Sequence, residues 1–202
     1  MAETPETALC RPLLLASGSR YRRDLLARLG LPFEVASPEI DESRQVGETA
    51  VALAERLALA KARVIAERYP EALVIGSDQV CALGPDCLGK PGSVDGQKAI
   101  LERLSGQTVT YHTAVAVVSF EAGVWQQHRD DTRCRFRTLT RSEIDDYVRR
   151  EPAADCAGGF KSEGLGISLL ESMESSDPTA IIGLPMIFVA KALRPFVVVT
   201  TR

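Results

Sequence analysis

The chain has 202 residues, enough for one domain of two lobes or a single large α/β domain, and its 45% hydrophobic and 25% charged residues are ordinary for a soluble globular protein. Its net charge of −3 argues against a general nucleic-acid-binding protein, which would carry a basic domain. No stretch approaches the roughly 20 apolar residues of a membrane helix. We therefore expect neither a nucleic-acid polymer nor a membrane as a partner.

The cysteines indicate free thiols and not a zinc site. Cys81 and Cys87 are too far apart for a zinc knuckle, and the chain has only 2 His to serve as further ligands. Reduced cysteines fit a cytoplasmic location best. Residues 1–11 carry acids and lack the apolar core of a signal peptide, so we expect them to form a flexible N-terminal tail.

The first elements predict an anion site. A short apolar strand over residues 12–16 leads through the polar turn 17–19 into a helix predicted over residues 20–29. Arg22 lies four residues before Leu26 and therefore shares its inward apolar face. Free N–H groups at a helix N-terminus beside an inward guanidinium suit a phosphate. The alternative is a surface arginine that caps the turn.

An acidic loop and a long helix follow a second short strand, residues 31–36. The loop over residues 37–42 holds three carboxylates, which suit either solvent or Mg²⁺ beside a phosphate site. A helix is predicted over residues 47–69. Lys61 follows Leu57 by four residues at the edge of the apolar stripe, and the pattern favours a snorkelling lysine over one that points into a cleft.

The stretch from Val74 to Pro91 holds the most informative carboxylate. An apolar run over residues 73–75 predicts a buried strand, interrupted at residues 76–79 and resumed at Val80. Asp78 lies inside it, and carboxylates are rarely buried unless paired or bound to a metal. Lys90 ends a second short strand. Asp78 and Lys90 could both face one cleft that suits a phosphate–metal substrate. The alternative is that they form a buried ion pair that only stabilises a hairpin.

The C-terminal half alternates strands and helices. The predicted elements are a helix over residues 93–104, strands over 108–120 and 124–139, a helix to residue 150, a strand over 167–170 and a helix over 184–193. Arg133, Arg135 and Arg137 are predicted to form a solvated face. His112 and His128 lie in the hairpin without a partner motif, so we assign them no chemistry.

Seven stretches in order resemble the Maf family of nucleoside triphosphate pyrophosphatases. They are LLLASGSRYRRDLLARLGLPFEV, IDE, LALAKAR, IGSDQV, GKP, CAGGFKSEGLG and IIGLP. The resemblance covers nearly the whole chain apart from the first eleven residues and the last few. One departure is Arg20, where the family usually has proline, and we expect it to alter the rigidity of the turn and not the chemistry.

The resemblance implies an α/β fold with a two-lobed mixed sheet flanked by helices and a central cleft, like the inosine triphosphatase (Maf/Ham1) fold. It implies one catalytic domain over residues 12–195 between tails at 1–11 and 196–202. The implied reaction is hydrolysis of a nucleoside triphosphate to the monophosphate and pyrophosphate, as in house-cleaning of nucleotide pools. A divalent metal cation, Mg²⁺ or Mn²⁺, is the implied cofactor.

The resemblance also implies roles for individual residues. Phosphate contacts fall on Ser17, Arg22, Lys61 and Lys90, and metal ligation falls on Glu42 and Asp78. The family favours Asp78 as the proton acceptor, although the residues alone leave it open whether Asp78 is the base or a metal ligand.

Three positions match those at which the family reads the base: Tyr21, Gln79 and Glu163. Members that act on dTTP or UTP have Arg, Thr and Gln there, whereas this pattern resembles the 7-methyl-GTP type. Guanine offers N1–H and N2–H₂ side by side, and one carboxylate can accept both. N7-methylation makes the base cationic, which favours an aromatic platform and the negative Glu163. The alternative is that Glu163 merely caps the turn at Gly164.

Other functions stay open at this point. One is a dTTP/UTP-type or inosine triphosphatase-type pyrophosphatase. Another is a nucleotide-binding regulator of cell division that does not hydrolyse, against which the intact Asp78, Glu42 and Lys90 argue. The metal, the physiological role and the oligomeric state, a homodimer included, are not decided by the sequence.

Overall fold

Nine strands and five helices make up residues 6–200, the part of the chain that the computed structural model describes. The helices are α1 (Arg20–Ala27), α2 (Ala50–Ala66), α3 (Val94–Leu104), α4 (Arg141–Arg150) and α5 (Met186–Leu193). The strands are β1 (Glu6–Leu9), β2 (Leu13–Ala16), β3 (Glu34–Val35), β4 (Leu73–Leu83), β5 (Asp86–Leu88), β6 (Thr108–Ser119), β7 (Val124–Phe136), β8 (Leu170–Glu174) and β9 (Val197–Thr200).

A mixed sheet forms the centre of the fold, with the strand order β3-β2-β4-β6-β7-β8 and β5 paired to β4. The strand β2 pairs in parallel with β3 and β4, whereas the pairs from β4 through β6 and β7 to β8 are antiparallel. The predicted α/β class with a mixed sheet flanked by helices is confirmed.

The edge of β4 is open over four residues. On that edge β2 pairs only as far as Gly76, and β5 begins to pair at Cys81. Within the described chain, Ser77 to Val80 therefore have a strand partner only on the other side, in β6. The open edge leaves a gap in the sheet between the ends of β2 and β5.

Two apolar clusters on one face of β4 and β6 give the fold its two lobes. One cluster contains Leu73 and Ile75 and packs against α1 and α5, and the other contains Cys81 and Tyr111 and packs against α3 and α4. Polar residues of β4 and β6 lie between the clusters. The opposite face of the sheet is covered by α2, whose alanine-rich stripe packs on Val74 and Val80.

The segments predicted to be tails contain paired strands. In the antiparallel pair of β1 and β9, Leu9 lies opposite Val197. Leu9, Phe196 and Val197 also pack on the apolar cluster beneath α5, which explains why these ends are held. The run of β-branched residues from Val197 to Thr200 favours a strand and was the missed signal. Residues 1–5 and 201–202 lie outside the described part of the chain.

Other element boundaries also differ from the prediction. The strand β4 is continuous through residues 76–79, because β6 pairs with it across the whole interruption. The predicted strand over residues 167–170 is instead a tight turn of helix at Leu165–Leu169, and β8 begins at Leu170. Thr49 caps α2, which therefore begins at Ala50. None of the described helices is long and apolar enough to cross a membrane.

Candidate active site

A cavity of about 920 Å³ lies at the open edge of β4. Its walls come from the turn after β2, the first turn of α1, the acidic loop, α2, the residues after β5, and the segments 155–163 and 181–183. All nine residues that the sequence analysis singled out line this one cavity: Ser17, Tyr21, Arg22, Glu42, Lys61, Asp78, Gln79, Lys90 and Glu163.

A lysine between two carboxylates lies in this cavity. The Lys61 ammonium lies 2.7 Å from Asp78 Oδ1 and 3.0 Å from a carboxylate oxygen of Glu42. Lys61 is 5% exposed and Asp78 7% exposed, whereas Glu42 is largely in solvent. The snorkelling interpretation of Lys61 is therefore wrong, because its charged end points into the cavity and not to the surface.

Gly76 explains how Lys61 reaches Asp78. A Cβ atom on Gly76 would lie 2.4 Å from both the Ala58 carbonyl oxygen and the Ala62 amide nitrogen. The backbone of α2 thus approaches β4 more closely than any side chain at Gly76 would permit. This close approach sets the Lys61 ammonium directly against the carboxylate two residues further along β4.

Arg22 is directed into the cavity, as its spacing from Leu26 predicted. It donates Nε to the Gly183 carbonyl at 2.8 Å and Nη1 to Ser17 Oγ at 3.3 Å. Burial lowers the pKa of Arg22, and the Asp78 and Glu42 carboxylates act in the opposite direction. Arg22 is therefore not a surface cap of the turn. The cap of α1 is Ser19, whose hydroxyl accepts the Arg22 N–H.

The orientation of the Gln79 amide follows from its neighbours. Its Nε2 lies 3.0 Å from Thr113 Oγ1, 3.0 Å from the Ala180 carbonyl and 2.9 Å from the Ile181 carbonyl. The two carbonyls can only accept, so a flipped amide would set oxygen against oxygen. Oε1 of Gln79 has no hydrogen-bond partner within residues 6–200 and is left as an acceptor for a ligand.

Tyr21 is surrounded by charged groups at the mouth of the cavity. The Arg20 guanidinium lies 4.7 Å from the ring centroid and donates to the Tyr21 hydroxyl at 2.7 Å. That hydroxyl donates to Asp155 at 3.3 Å, and Lys161 Nζ lies 5.8 Å from the ring. The expectation that Arg20 changes only the rigidity of the turn is therefore incomplete, since Arg20 already contacts the predicted platform.

Glu163 is exposed and faces the cavity with little to hold its carboxylate. Its one polar side-chain contact in the described chain is a distant hydroxyl, Ser162 Oγ at 3.5 Å. The N–H of Gly164 bonds to the Lys161 carbonyl and not to the glutamate. The structure therefore gives no support to a capping role for Glu163 at the Gly164 turn.

Lys90 lies next to Gly89 where the chain leaves β5, and its side chain is exposed at the cavity. Within residues 6–200 it forms no ion pair. Asp78 therefore pairs with Lys61 and not with Lys90, and the hairpin-bracing alternative fails. An unpaired ammonium at a cavity is available to an anionic ligand.

The donor set also bears on a divalent metal. No group of three or more His, Cys, Asp or Glu side chains within residues 6–200 could hold a metal ion. Among the described residues, four carboxylates line the cavity, those of Glu42, Asp78, Asp155 and Glu163. The predicted pair, Asp78 and Glu42, lies on either side of the Lys61 ammonium. Such a pair suits Mg²⁺, which takes one or two carboxylates and completes its shell with water and substrate phosphates. The residues fit a metal that binds together with a phosphate-bearing ligand.

Several cavity residues were not found from the sequence. Asp155, Phe160 and Lys161 lie within or next to the stretch CAGGFKSEGLG, in which the sequence analysis assigned a role only to Glu163. The carbonyls of Ala180, Ile181 and Gly183 accept hydrogen bonds from four side chains, those of Arg22, Ser77, Gln79 and Thr113. Backbone atoms leave no residue-type signal in the sequence. Only the closeness of Lys161 to Glu163 in the sequence could have indicated that both face one cavity.

Comparison with known proteins agrees with this geometry. The model of the family described as Maf-like protein matches residues 12–196. A 7-methyl-GTP pyrophosphatase of Polaromonas sp. (strain JS666) is 53% identical, over 96% of this chain and 88% of that protein. A 7-methyl-GTP pyrophosphatase of Xanthomonas axonopodis pv. citri is 52% identical, over 90% of this chain and 95% of that protein.

A solved structure, that of protein VC0702 from Vibrio cholerae, aligns with a TM-score of 0.34 and 14% identity, over 69% of this chain and 75% of that one. A likeness this slight bears on neither fold nor function.

Proposed function

The chain belongs to the Maf-like protein family, and from that membership we propose that it is a nucleoside triphosphate pyrophosphatase whose substrate is 7-methyl-GTP. The observation that carries this proposal is the convergence of the predicted phosphate contacts and the predicted metal ligands on one cavity: Arg22, Lys61 and Lys90 with Glu42 and Asp78. Its volume of about 920 Å³ lies within the range of ligand sites and admits a nucleotide. Relatives about half identical over most of their length carry the same activity in their names.

The cations would neutralise the triphosphate. Arg22 is fixed by its hydrogen bonds, and Lys61 by burial and its ion pair, whereas Lys90 is free to follow the substrate. The N-terminus of α1, with the Ser17 hydroxyl beside it, adds donors that favour an anion. Positioning and charge stabilisation of this kind account for most of the catalysis of phosphoryl transfer.

Asp78 would accept a proton from the attacking water. Lys61 binds its Oδ1, and Oδ2 has no hydrogen-bond partner among the described residues. The lysine thereby fixes the carboxylate and leaves one oxygen to meet a water within hydrogen-bond reach. The bond broken would be the anhydride linkage between the α- and β-phosphates, which releases pyrophosphate and leaves the nucleoside monophosphate.

A divalent cation, Mg²⁺ or Mn²⁺, would be held by Glu42, and by Asp78 in the alternative in which its free oxygen binds the metal instead of the attacking water. When bound, such a metal supplies positive charge that stabilises the phosphate oxygens. Because the described chain brings no group of three or more possible ligands together, we infer that the metal binds well only with the nucleotide present. Full activity in excess EDTA would contradict this part of the proposal.

The base pocket would select guanine through two acceptors. Gln79 presents Oε1, and Glu163 presents a carboxylate without a charged partner in the described chain. Both suit the adjacent N1–H and N2–H₂ donors of guanine, whereas uracil and thymine offer one ring N–H. The N7-methylated base is cationic, so it is attracted to the Glu163 carboxylate. To stack on Tyr21, the base must either displace the Arg20 guanidinium from the ring or bind beside it.

We place the reaction in the cytoplasm because all five cysteines, Cys10, Cys81, Cys87, Cys134 and Cys156, are free. A homodimer stays a prediction.

A nucleotide panel tests the proposed function. We expect wild-type kcat/KM for 7-methyl-GTP to exceed that for GTP, UTP and dTTP by roughly tenfold or more, the value of one charged hydrogen bond. Asp78→Asn should lower turnover by about 10² to 10⁴, the usual range for a general base. The matched control is Asp145→Asn, on the outer surface of α4 and paired with Lys98. Preference for dTTP or UTP, or near-wild-type turnover of Asp78→Asn, would overturn the proposal.

A further inference from the structure

The residues on either side of Glu163 are tied to the end of α4. Lys161, two residues before it, donates its backbone N–H to the Tyr147 hydroxyl at 3.0 Å. Gly166, three residues after it, donates its backbone N–H to Glu151 Oε2 at 2.9 Å. Two hydrogen bonds from a single helix end thus bracket the glutamate.

These two anchors are themselves fixed. The ring of Tyr147 is 2% exposed within the apolar cluster of the second lobe. The carboxylate of Glu151 packs so closely on Gly164 that a Cβ atom there would lie 2.0 Å from Oε1. Gln97, fully buried in α3, donates to the Glu151 carbonyl at 3.3 Å and to the Gly159 carbonyl at 2.9 Å.

Glu163 has no comparable anchor of its own. Its carboxylate is exposed, with the Ser162 hydroxyl at 3.5 Å as its polar side-chain contact in the described chain. The direction in which the carboxylate points is therefore set by the backbone at Lys161 and Gly166. We propose that Tyr147 and Glu151 are positioning residues that determine which base the cavity accepts, by holding the backbone that carries Glu163.

This inference rests on the proposed function, in which Glu163 reads the base. A carboxylate that selects a ligand by hydrogen bonds must be held within about 0.5 Å of the position in which it bonds to that ligand. Loss of either anchor frees the segment on one side of Glu163. The triphosphate contacts lie on other elements, so the loss should weaken discrimination between bases and leave the chemical step intact.

The test uses Tyr147→Phe, which keeps the buried ring and removes only the acceptor for the Lys161 N–H. We expect the ratio of kcat/KM between 7-methyl-GTP and UTP to fall roughly 3- to 10-fold, the range of one neutral hydrogen bond. The loss should appear in KM for 7-methyl-GTP, with kcat changed less than about twofold. The matched control is Tyr69→Phe, an exposed tyrosine outside the cavity, for which the ratio should not change.

A second pair of variants covers the case in which Tyr147→Phe is unfolded at the assay temperature. Glu151→Ala removes the acceptor for the Gly166 N–H and should lower the same ratio. Glu151→Gln retains an acceptor oxygen and should restore most of the discrimination.

A double variant shows whether the effect passes through Glu163. In a Glu163→Gln background, Tyr147→Phe should cause no further loss of discrimination, since the group that it positions is gone. Additive losses, or an equal fall in kcat for every nucleotide, would mean that Tyr147 is only structural and would overturn the inference. If wild type prefers 7-methyl-GTP and Glu163→Gln removes that preference but Tyr147→Phe does not, the inference fails and the proposed function stands. If wild type shows no such preference, the proposed function itself fails.

Discussion

Replacing Lys61 with methionine perturbs the two carboxylates and the phosphate site together. Lys61→Met keeps the length of the side chain and removes the ammonium that lies 2.7 Å from Asp78 and 3.0 Å from Glu42. Asp78, 7% exposed, then lacks its cation. The Arg22 guanidinium stays within the same cavity but hydrogen-bonds to other partners.

Removing one partner of a buried ion pair costs about 3–5 kcal/mol, because an uncompensated charge stays behind. The cavity opens to solvent, so we expect the lower end, about 3 kcal/mol. For a chain of this size that corresponds to a fall in Tm of roughly 6–12 °C. The loss of a charged contact to phosphate should lower kcat/KM by about 10- to 100-fold.

The double variant Lys61→Met/Asp78→Asn separates the two effects. With no buried carboxylate left unpaired, since Glu42 is half-exposed, the double variant should regain part of the lost Tm relative to Lys61→Met, while its activity falls further. Thermal unfolding and steady-state kinetics of wild type, Lys61→Met, Asp78→Asn and the double variant complete the double-mutant cycle. Additive Tm losses would refute the reasoning, since they would show that Lys61 and Asp78 are not coupled.

Three further changes have defined outcomes. Glu163→Gln should erode the preference for 7-methyl-GTP by roughly 1–3 kcal/mol, and an unchanged ranking in the nucleotide panel would contradict this. Tyr111→Phe removes a buried hydroxyl without a partner in the described chain, so urea unfolding should show equal stability or a gain of up to about 1 kcal/mol. Arg56 lowers the pKa of Glu48 in the folded protein from 4.5 to about 2. As the pH falls, Glu48 therefore takes up its proton in the unfolded chain before it does so in the folded protein. The Tm difference between wild type and Glu48→Gln should therefore be constant above about pH 5 and shrink from pH 4.5 towards 2, whereas a difference that grows with acid would exclude this ion pair.

Local patterns predicted the parts of the site that depend on spacing within one element. The four-residue interval between Arg22 and Leu26 placed the guanidinium on the inner side of α1, where it contacts Gly183. A carboxylate inside an apolar run indicated that Asp78 would face a cleft, and in the structure it lines the cavity beside the Lys61 ammonium. The resemblance then named the remaining residues at the cavity, and the structure brings all of them together.

Features that depend on contacts between distant elements could not be predicted in this way. The helical pattern alone favoured a snorkelling Lys61. The sequence of α2 does not show that the helix approaches β4 closely at Gly76, and this approach directs Lys61 into the cavity. The hydrogen bond between Tyr147 and Lys161 joins α4 to a later loop, whereas the apolar spacing of Tyr147 within the helix predicts only a core residue. Pairing of β1 with β9 joins the two ends of the chain, and although the β-branched run at Val197–Thr200 favours a strand, no local pattern indicates that its partner is β1.

Identification of the products tests the central claim most directly. Wild-type protein with 7-methyl-GTP and Mg²⁺ should yield pyrophosphate and 7-methyl-GMP in equal amounts, followed in one time course by phosphorus NMR or ion-exchange chromatography. Neither inorganic phosphate nor the diphosphate should accumulate, and Asp78→Asn should give neither product at a comparable rate. Stepwise release of phosphate through 7-methyl-GDP would contradict the account, because the bond broken would then not be the one that a pyrophosphatase cleaves.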